Sequence, residues 1–323
     1  MVPPAETAAN RTDAMEDPCP VLSIVVCTHS RAGGVEDLLG ILVPQVALRN
    51  IEIVVVDSAS SPDHAERVRA AVESAPACRL ERLDAPGVSM ARNAGLAAAR
   101  APWIAYLDDD ELPGSDWVAQ ALGLIARLPA DCAACGGNIV PLYPDGDIRM
   151  LSPRWLAYLS AIKRAGEFDQ SAAPQLPIGH SLVRAAAIRE VGGFDPRLGR
   201  VNATLLSGEE VLLIEALRAA GWTLWHSDRI EVAHRIGVER LTRAWVIDRA
   251  FWEGVTTFRV LLIHDARKLW LRVIAIVLKW PILRLAAVLR PEGDDIDLRL
   301  AFASGYLKAW LDFIRKGRLG TVS

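Results

Sequence analysis

Cysteine is scarce: five residues in 323, at Cys19, Cys27, Cys78, Cys132 and Cys135. An odd number at irregular spacing argues against a disulfide framework and fits a reducing cytoplasm. Cys132-Ala-Ala-Cys135 has the spacing of a redox or zinc pair, but no second Cys or His pair lies nearby, so it reads as two small buried thiols. A secretory start is also lacking. Met1 to Pro20 carries proline, alanine and mixed charges rather than a basic end followed by an apolar stretch, so residues 1–20 are expected to form a disordered tail. No internal repeat is visible, and no long apolar run is free of charge. The oiliest stretch, Leu269 to Leu289, contains Arg272, Lys279, Arg284 and an interior Pro281. A spanning helix needs about 20 predominantly apolar residues, and a central Lys or Arg costs about 2.5–3.5 kcal/mol on insertion scales, so a transmembrane span is not expected.

What is present is ordinary globular material with a sizeable core: 51% apolar and 23% charged residues. The net charge of −3 is unevenly spread. Residues 236–323 hold 15 Lys and Arg against 9 Asp and Glu, a balance of +6, which leaves −9 for residues 1–235. The acidic part suits a cation-assisted site, and the basic part suits phosphates or an anionic membrane face; a nucleic-acid partner is not expected.

Ser23-Ile-Val-Val-Cys-Thr28 and Ile51-Glu-Ile-Val-Val-Val-Asp57 are β-branched runs of the kind that form strands buried on both faces. Between them Val35, Leu38, Leu39, Leu42 and Val46 recur at helical spacing, which makes a β-α-β unit and predicts a mostly parallel sheet flanked by helices. Arg79 to Leu83 reads as a strand, Ser89 to Arg100 as a helix, and Trp103 to Leu107 as a strand running into Asp108-Asp109-Asp110. A helix over Trp117 to Leu128 follows, then Asn138 to Tyr143 as an edge strand, because Pro141 cannot donate to a ladder. After an irregular section from Tyr143 to Pro177, a helix over Glu209 to Ala220 is stopped by Gly221, and Thr223–Trp225 and Ile230–His234 complete the sheet. The boundary falls near Gly237, giving a catalytic domain over 21–236 and a helical C-terminal region over 237–323. Within that region 267–290 is basic with no acid, interleaved with Trp270, Trp280 and aliphatics. It suits helices lying in a membrane interface, or alternatively a buried helical hairpin.

Three adjacent aspartates repel one another unless something positive neutralises them, and carboxylate oxygens are the ligands that Mg²⁺ or Mn²⁺ prefers. An acidic run alone is commonly a solvated loop. This one stands at the end of a buried strand, where open α/β sheets bind ligands.

Several motifs, in order, resemble those of family 2 glycosyltransferases: Ser23 to Arg31, Val54 to Ser60, Gly87-Val-Ser-Met-Ala-Arg-Asn-Ala-Gly95, Tyr106-Leu-Asp-Asp-Asp-Glu-Leu-Pro113, Gly192-Gly-Phe-Asp-Pro196, Gly208-Glu-Glu-Val-Leu-Leu213 and Ala219-Ala-Gly-Trp222. The resemblance covers about Val21 to His234. It implies the GT-A fold, a nucleotide-diphosphate sugar donor, commonly a UDP-sugar, and a divalent cation, Mn²⁺ or Mg²⁺. By the same resemblance Thr28 and Ser30 line the nucleotide pocket, Asp57 accepts a hydrogen bond from the base, Arg92 approaches the nucleotide or diphosphate, and Asn93 shapes the pocket. Asp108 and Asp110 form the D-x-D pair that faces ribose and metal, with Asp109 between them, and His234 completes the metal or diphosphate shell.

Transfer to an acceptor hydroxyl also needs a base, and Glu209-Glu210 occupies the family's Glu-Asp position. Glu210 is the expected base, giving inversion, with Glu209 a competitor; paired glutamates opening a helix also complement its dipole. His180, in Gly179-His-Ser181, is either an acceptor contact or a satisfied loop residue. Arg235, Arg240 and Arg243 either close over the diphosphate or are solvated. The acceptor class implied is a saccharide or lipid-linked hydroxyl, with the oligomeric state open and peripheral contact at the cytoplasmic face of a membrane expected through 267–290. Two other readings remain: a non-catalytic nucleotide-sugar-binding scaffold, and a sugar nucleotidyltransferase, whose Gly-rich, basic loop Thr28-His-Ser-Arg-Ala-Gly-Gly34 matches poorly.

Overall fold

The computed structural model of the protein describes residues 19–144, 158–202, 204–289 and 294–317. The expected tail therefore lies outside the described residues up to position 18, as does most of the stretch between Tyr143 and Tyr158.

The β-branched runs become β1 (Leu22–Thr28) and β2 (Ile51–Ser58), joined by α1 (Ala32–Val46). They are buried on both faces because each supplies two cores in alternation. Ile24 and Val26 of β1 and Ile53 and Val55 of β2 face a cluster with Leu38 and Leu42 of α1, while Val25, Val54 and Val56 face a second cluster. Full burial of each such aliphatic contributes about 1.5–3 kcal/mol, which is why the runs are continuous rather than alternating. α2 (Pro62–Glu73), β3 (Cys78–Leu83), α3 (Val88–Ala98) and β4 (Trp103–Asp108) follow. Helix α3 packs flush on β1: a Cβ at Gly95 would stand 2.3 Å from a Val25 methyl.

Next come β5 (Glu111–Pro113), α4 (Trp117–Ile125), β6 (Cys132–Leu142), β7 (Glu167–Asp169), β8 (His180–Arg184), α5 (Ala185–Glu190), α6 (Glu209–Ala219) and β9 (Thr223–Arg235). The nine-stranded sheet has the order β3-β2-β1-β4-β8-β6-β9-β5, with β7 also on β9. β8 runs against β4 and β6, and β5 and β7 run against β9, so the remaining strands share one direction. Two expectations change. Asn138 to Leu142 is not a separate strand but the end of the longer β6; as expected it is an edge there, since β8 pairs only with 134–136 and beyond the single Ile139–Ile162 bridge no described ladder lies on the side away from β9, where Pro141 is tolerated. Thr223–Trp225 and Ile230–His234 form one strand, whose pairing with β6 shifts register after Gly136 and swings its far half toward β5.

Beyond a 3-10 turn at Val238–Leu241 the chain is helical: α7 (Arg243–His264), α8 (Ala266–Leu289) and α9 (Asp294–Lys316). α7 and α9 cross at van der Waals contact, since a Cβ at Gly254 would stand 2.0 Å from the Phe302 carbonyl oxygen, and one at Gly305 would meet the carbonyl of Phe251. Leu206 joins the Phe258–Tyr306 cluster, and Ser207 N donates to Thr256 Oγ1 at 3.1 Å, which ties these helices to the sheet half. No helix among the described residues is long and apolar enough to cross a membrane. All five cysteines are free thiols, with Cys132 and Cys135 buried in β6.

Candidate active site

The carboxyl ends of β1, β2 and β4 open into a cavity of about 450 Å³, closed on the other side by the starts of α3 and α6, the end of β9, the 3-10 turn and α7. Asp108 ends β4 and Glu111 begins β5, so the acidic run bridges two distant places in the sheet. β5 pairs with β9 in the register Glu111 to His234, and Arg235 N donates to Asp110 O at 2.9 Å. That pairing brings His234 Nε2 to 3.6 Å from Asp110 Oδ2.

The three aspartates have three environments. Asp108 is 42% exposed to the cavity, with Arg92 Nη2 at 3.5 Å, and its approach is possible because Gly179 has no side chain: a Cβ there would stand 2.3 Å from Asp108 Oδ2. Asp109 points inward, where Thr28 Oγ1 donates to it at 2.7 Å and Arg31 Nη1 at 2.8 Å; burial pushes its pKa up to about 7. Asp110 faces Arg31 Nη1 at 2.7 Å and Arg240 Nη2 at 3.4 Å. Burial by itself would raise its pKa, but His234, Arg31 and Arg240 hold it well below the usual carboxylate range. Glu111 is buried, accepts from Asp108 N at 3.2 Å, and has its pKa raised well above normal by burial and by Asp108 and Asp110.

Arg92 is the hub of the opposite wall. Its guanidinium is 4% exposed and lies 2.9 Å from Glu209 Oε1 and 3.7 Å from Glu210 Oε1, besides Asp108. It lines the cavity with its guanidinium held among these carboxylates. Glu209 is buried against it, whereas Glu210 is part-exposed to the cavity and accepts from Ile178 N at 3.2 Å. Burial and the adjacent Glu209 raise the Glu210 pKa above the ordinary carboxylate value, although Arg92 opposes them. Cys27 also reaches the cavity, but burial pushes its thiol up to about 12, so it supplies no thiolate nucleophile.

Thr28, Arg92, Asp108, Asp109, Asp110, Glu209, Glu210 and His234 all line this one cavity; Ser30, Asp57 and Asn93 do not. Ser30 Oγ accepts from Ser61 N at 3.1 Å and its own N donates to Ser60 Oγ, clasping the loops after β1 and β2. Asp57 is fully buried, accepting from Ser60 N at 2.9 Å and pairing with Arg82. Asn93 exchanges two hydrogen bonds with the Phe194 backbone, bolting the Gly192–Pro196 turn to α3. His180 is not at an acceptor face: it is fully buried in β8 beside Trp117, and burial lowers its pKa to about 4. Of the three late arginines only Arg240 lines the cavity, while Arg235 pairs with Asp37 and Arg243 with Asp297. Sequence reasoning passed over Arg31, though it closes the first motif, and also Arg200 and Arg249, which sit in no motif and line the mouth.

As a cation site the arrangement fits an open shell. Asp110 and His234 offer two adjacent donors, and among the described residues no three His, Cys, Asp or Glu are gathered into a cage. Mg²⁺-type ions are held in this way, by one or two protein ligands with waters and phosphates completing the shell. Asp108, turned toward Arg92, is not gathered with that pair.

Comparison with known proteins bears on the same region. Over 247 residues the chain is 29% identical to the pre-mycofactocin glycosyltransferase of Mycobacterium tuberculosis, covering 72% of this chain and 46% of that protein, so it spans about half that relative's length. It is 26% identical to the succinoglycan biosynthesis protein ExoM of Rhizobium meliloti, over 77% of this chain and 78% of that one. In fold it resembles a mannosyltransferase from Pyrobaculum calidifontis solved with GDP-Man and Mn²⁺, with TM-score 0.57, 18% identity, and coverage of 91% and 88% of the two chains. Residues 23–176, the part of the chain that carries β1 to β4 and the aspartate run, match the sequence model of glycosyl transferase family 2.

Proposed function

We propose that the protein transfers a sugar from a nucleoside-diphosphate donor to a hydroxyl of a saccharide or lipid-linked acceptor, with inversion at the anomeric carbon and with help from a divalent cation. The observation that carries this reading is a single cavity in which the Asp110–His234 pair and Glu210 both stand, linked by Arg92 between Asp108 and Glu209.

In this reading Asp110 and His234 hold the cation, which when bound neutralises the departing diphosphate. Arg200, Arg240 and Arg249 add positive charge at the mouth, where the negative leaving group departs. Glu210 takes the acceptor's hydroxyl proton. Its raised pKa makes it a stronger base than an ordinary carboxylate while it stays largely ionised above neutrality. Ile178 N donates to it and Arg92 lies 3.7 Å away, while Glu209, buried on Arg92, acts as the positioning neighbour. Asp109 and Thr28 hold the acidic turn in shape. The basic, apolar α8 suits peripheral contact with a membrane where a lipid-linked acceptor resides.

The test is metal-dependent binding and hydrolysis across a panel of nucleotide sugars, UDP-sugars first and GDP-sugars next, comparing wild type with Asp110→Asn. Turnover of one donor that requires Mn²⁺ or Mg²⁺ and disappears in the variant is expected. A folded, metal-supplied protein that binds no nucleotide sugar would sink the reading.

A further inference from the structure

A second and larger cavity, about 820 Å³, lies between α7, α8 and α9 and meets the first, sharing Ser160, Arg200 and Arg249 with it. Its α8 wall is Arg272, Ile276, Lys279 and Leu283, which recur at the i, i+4, i+7, i+11 spacing of one helical face. The α9 wall adds Leu298, Arg299 and Phe302. Among the described residues the lining thus combines an apolar floor with five cations, Arg200, Arg249, Arg272, Lys279 and Arg299, against one acid, Glu253, which already pairs with Arg249 at 3.0 Å. Among the described residues Arg200, Lys279 and Arg299 have no carboxylate partner, while Arg272 lies 5.4 Å from the centre of the Phe302 ring. Arg200, Arg272, Lys279 and Arg299 are exposed and so stand at the open side of this pocket, which therefore presents positive charge to solvent beside an apolar floor.

The neighbouring surface has the same character. Leu271, Ile274, Leu278, Ile282, Leu285 and Val288 of α8 are exposed, Leu278 at 68% and Val288 at 77%. Between Ala266 and Leu289 there is no acid and there are five Lys or Arg. An exposed apolar stripe of this size on a basic helix marks a lipid-facing surface.

We infer that the cavity between α7, α8 and α9 seats the phosphate linkage and first chain segment of a lipid-linked saccharide, whose sugar reaches Glu210 through the shared mouth at Ser160, Arg200 and Arg249. The inference rests on the transferase reading above and adds the acceptor class to it. The bond made joins the acceptor oxygen to the donor's anomeric carbon, the bond broken is that carbon's bond to the diphosphate oxygen, the hydroxyl proton passes to Glu210, and the nucleoside diphosphate leaves. The lipid phosphate itself does not react. The cations hold it by charge and hydrogen bonding while Ile276, Leu283 and Phe302 cover the adjoining hydrocarbon.

Binding is measured with a short-chain polyprenyl diphosphate in neutral detergent, using the full chain as wild type, Lys279→Glu/Arg299→Glu and the milder Lys279→Gln/Arg299→Gln. Thermal unfolding checks that all three are folded. The expected result is a loss of affinity of about tenfold or more in the charge-reversed protein and a smaller loss in the Gln pair. Nucleotide binding and metal-dependent donor hydrolysis stay unchanged in both. Equal affinity of wild type and variants for the polyprenyl diphosphate overturns the inference, as does equally tight binding of the phosphate-free polyprenyl alcohol. Competition by inorganic diphosphate at the same concentration as the lipid would reduce the site to a free-anion site and also overturn it. So would binding to anionic phospholipid vesicles that polyprenyl diphosphate does not displace, which would mean a membrane surface only. If wild type hydrolyses no donor yet the lipid-binding difference persists, the transferase reading fails and the lipid site stands.

Discussion

The sheet half and the C-terminal helices handle charge in opposite ways. In the sheet half, buried carboxylates arrive already partnered: Glu52 accepts from Ser23 Oγ and from the Arg79 and Arg100 guanidinium groups, Asp57 pairs with Arg82, and Glu209 with Arg92. On α8 and α9 apolar side chains face outward, and Lys279 and Arg299 have no carboxylate among the described residues. A partnered carboxylate of the sheet half needs no outside counter-charge, because its partner already offsets the several kcal/mol that an unpaired buried charge costs. A region that exposes both oil and unpaired cations is shaped for something that supplies hydrocarbon and negative charge.

The sharpest break comes on the sheet side. Glu210→Gln should lower the rate of sugar transfer by about 10²–10⁴-fold, the usual contribution of a positioned base, with donor affinity in equilibrium titration little changed. Nearly as large is Arg92→Met, which leaves Glu209 buried beside Asp108 without a counter-charge; urea unfolding should show a loss of about 3–5 kcal/mol. On the helical side, Gly305→Ala forces a methyl into the Phe251 carbonyl and should cost about 1–3 kcal/mol, read by denaturation, by prying α7 from α9 while leaving the sheet strands intact.

A smaller effect concerns pH. A base must be ionised to work, so with Glu210 raised by burial and by Glu209, kcat/KM should fall as pH drops through a value well above the roughly 4.3 of a free glutamate. Glu209→Gln removes the like charge and should move that acid limb to lower pH; a limb that stays put would show that Glu209 does not act on Glu210. The smallest change is expected from Leu278→Glu with Leu285→Glu: because both face solvent, stability should move by less than about 0.5 kcal/mol each. Flotation with anionic vesicles should nonetheless fall clearly in that double variant, and unchanged flotation would leave the contrast between the halves without a lipid meaning.

Much of the sheet half was legible because its signals are local. Runs of six to eight residues such as Ile51–Ser58 are too short for a helix and rich in β-branched side chains, which favours a doubly covered strand, and the apolar periodicity of α1 declares its buried face. The same local logic located Asp108 to Asp110 at a strand end and Glu209 and Glu210 at a helix start. Less visible was β5, three residues long and paired with a strand from the other end of the chain, and so was the continuation of β9 through Ser227-Asp228-Arg229. Side-chain direction was likewise hidden. His180 looks like a polar loop residue in sequence but is buried in β8 beside Trp117, and Ser30 and Asn93 are used to fasten backbone to backbone.

By itself the sequence determined the strands and helices from β1 to β4, the helices α4 and α6, the acidic and basic halves, and which residue types stand at the strand ends, because hydrophobic periodicity and short motifs act over a few residues. The tertiary structure alone decided that Asp110 meets His234, that Arg92 turns to Glu209 and Asp108, and that Arg200 and Arg249 join two cavities. These are contacts between distant segments, set by sheet register and helix packing, and register between remote strands is written in no local pattern.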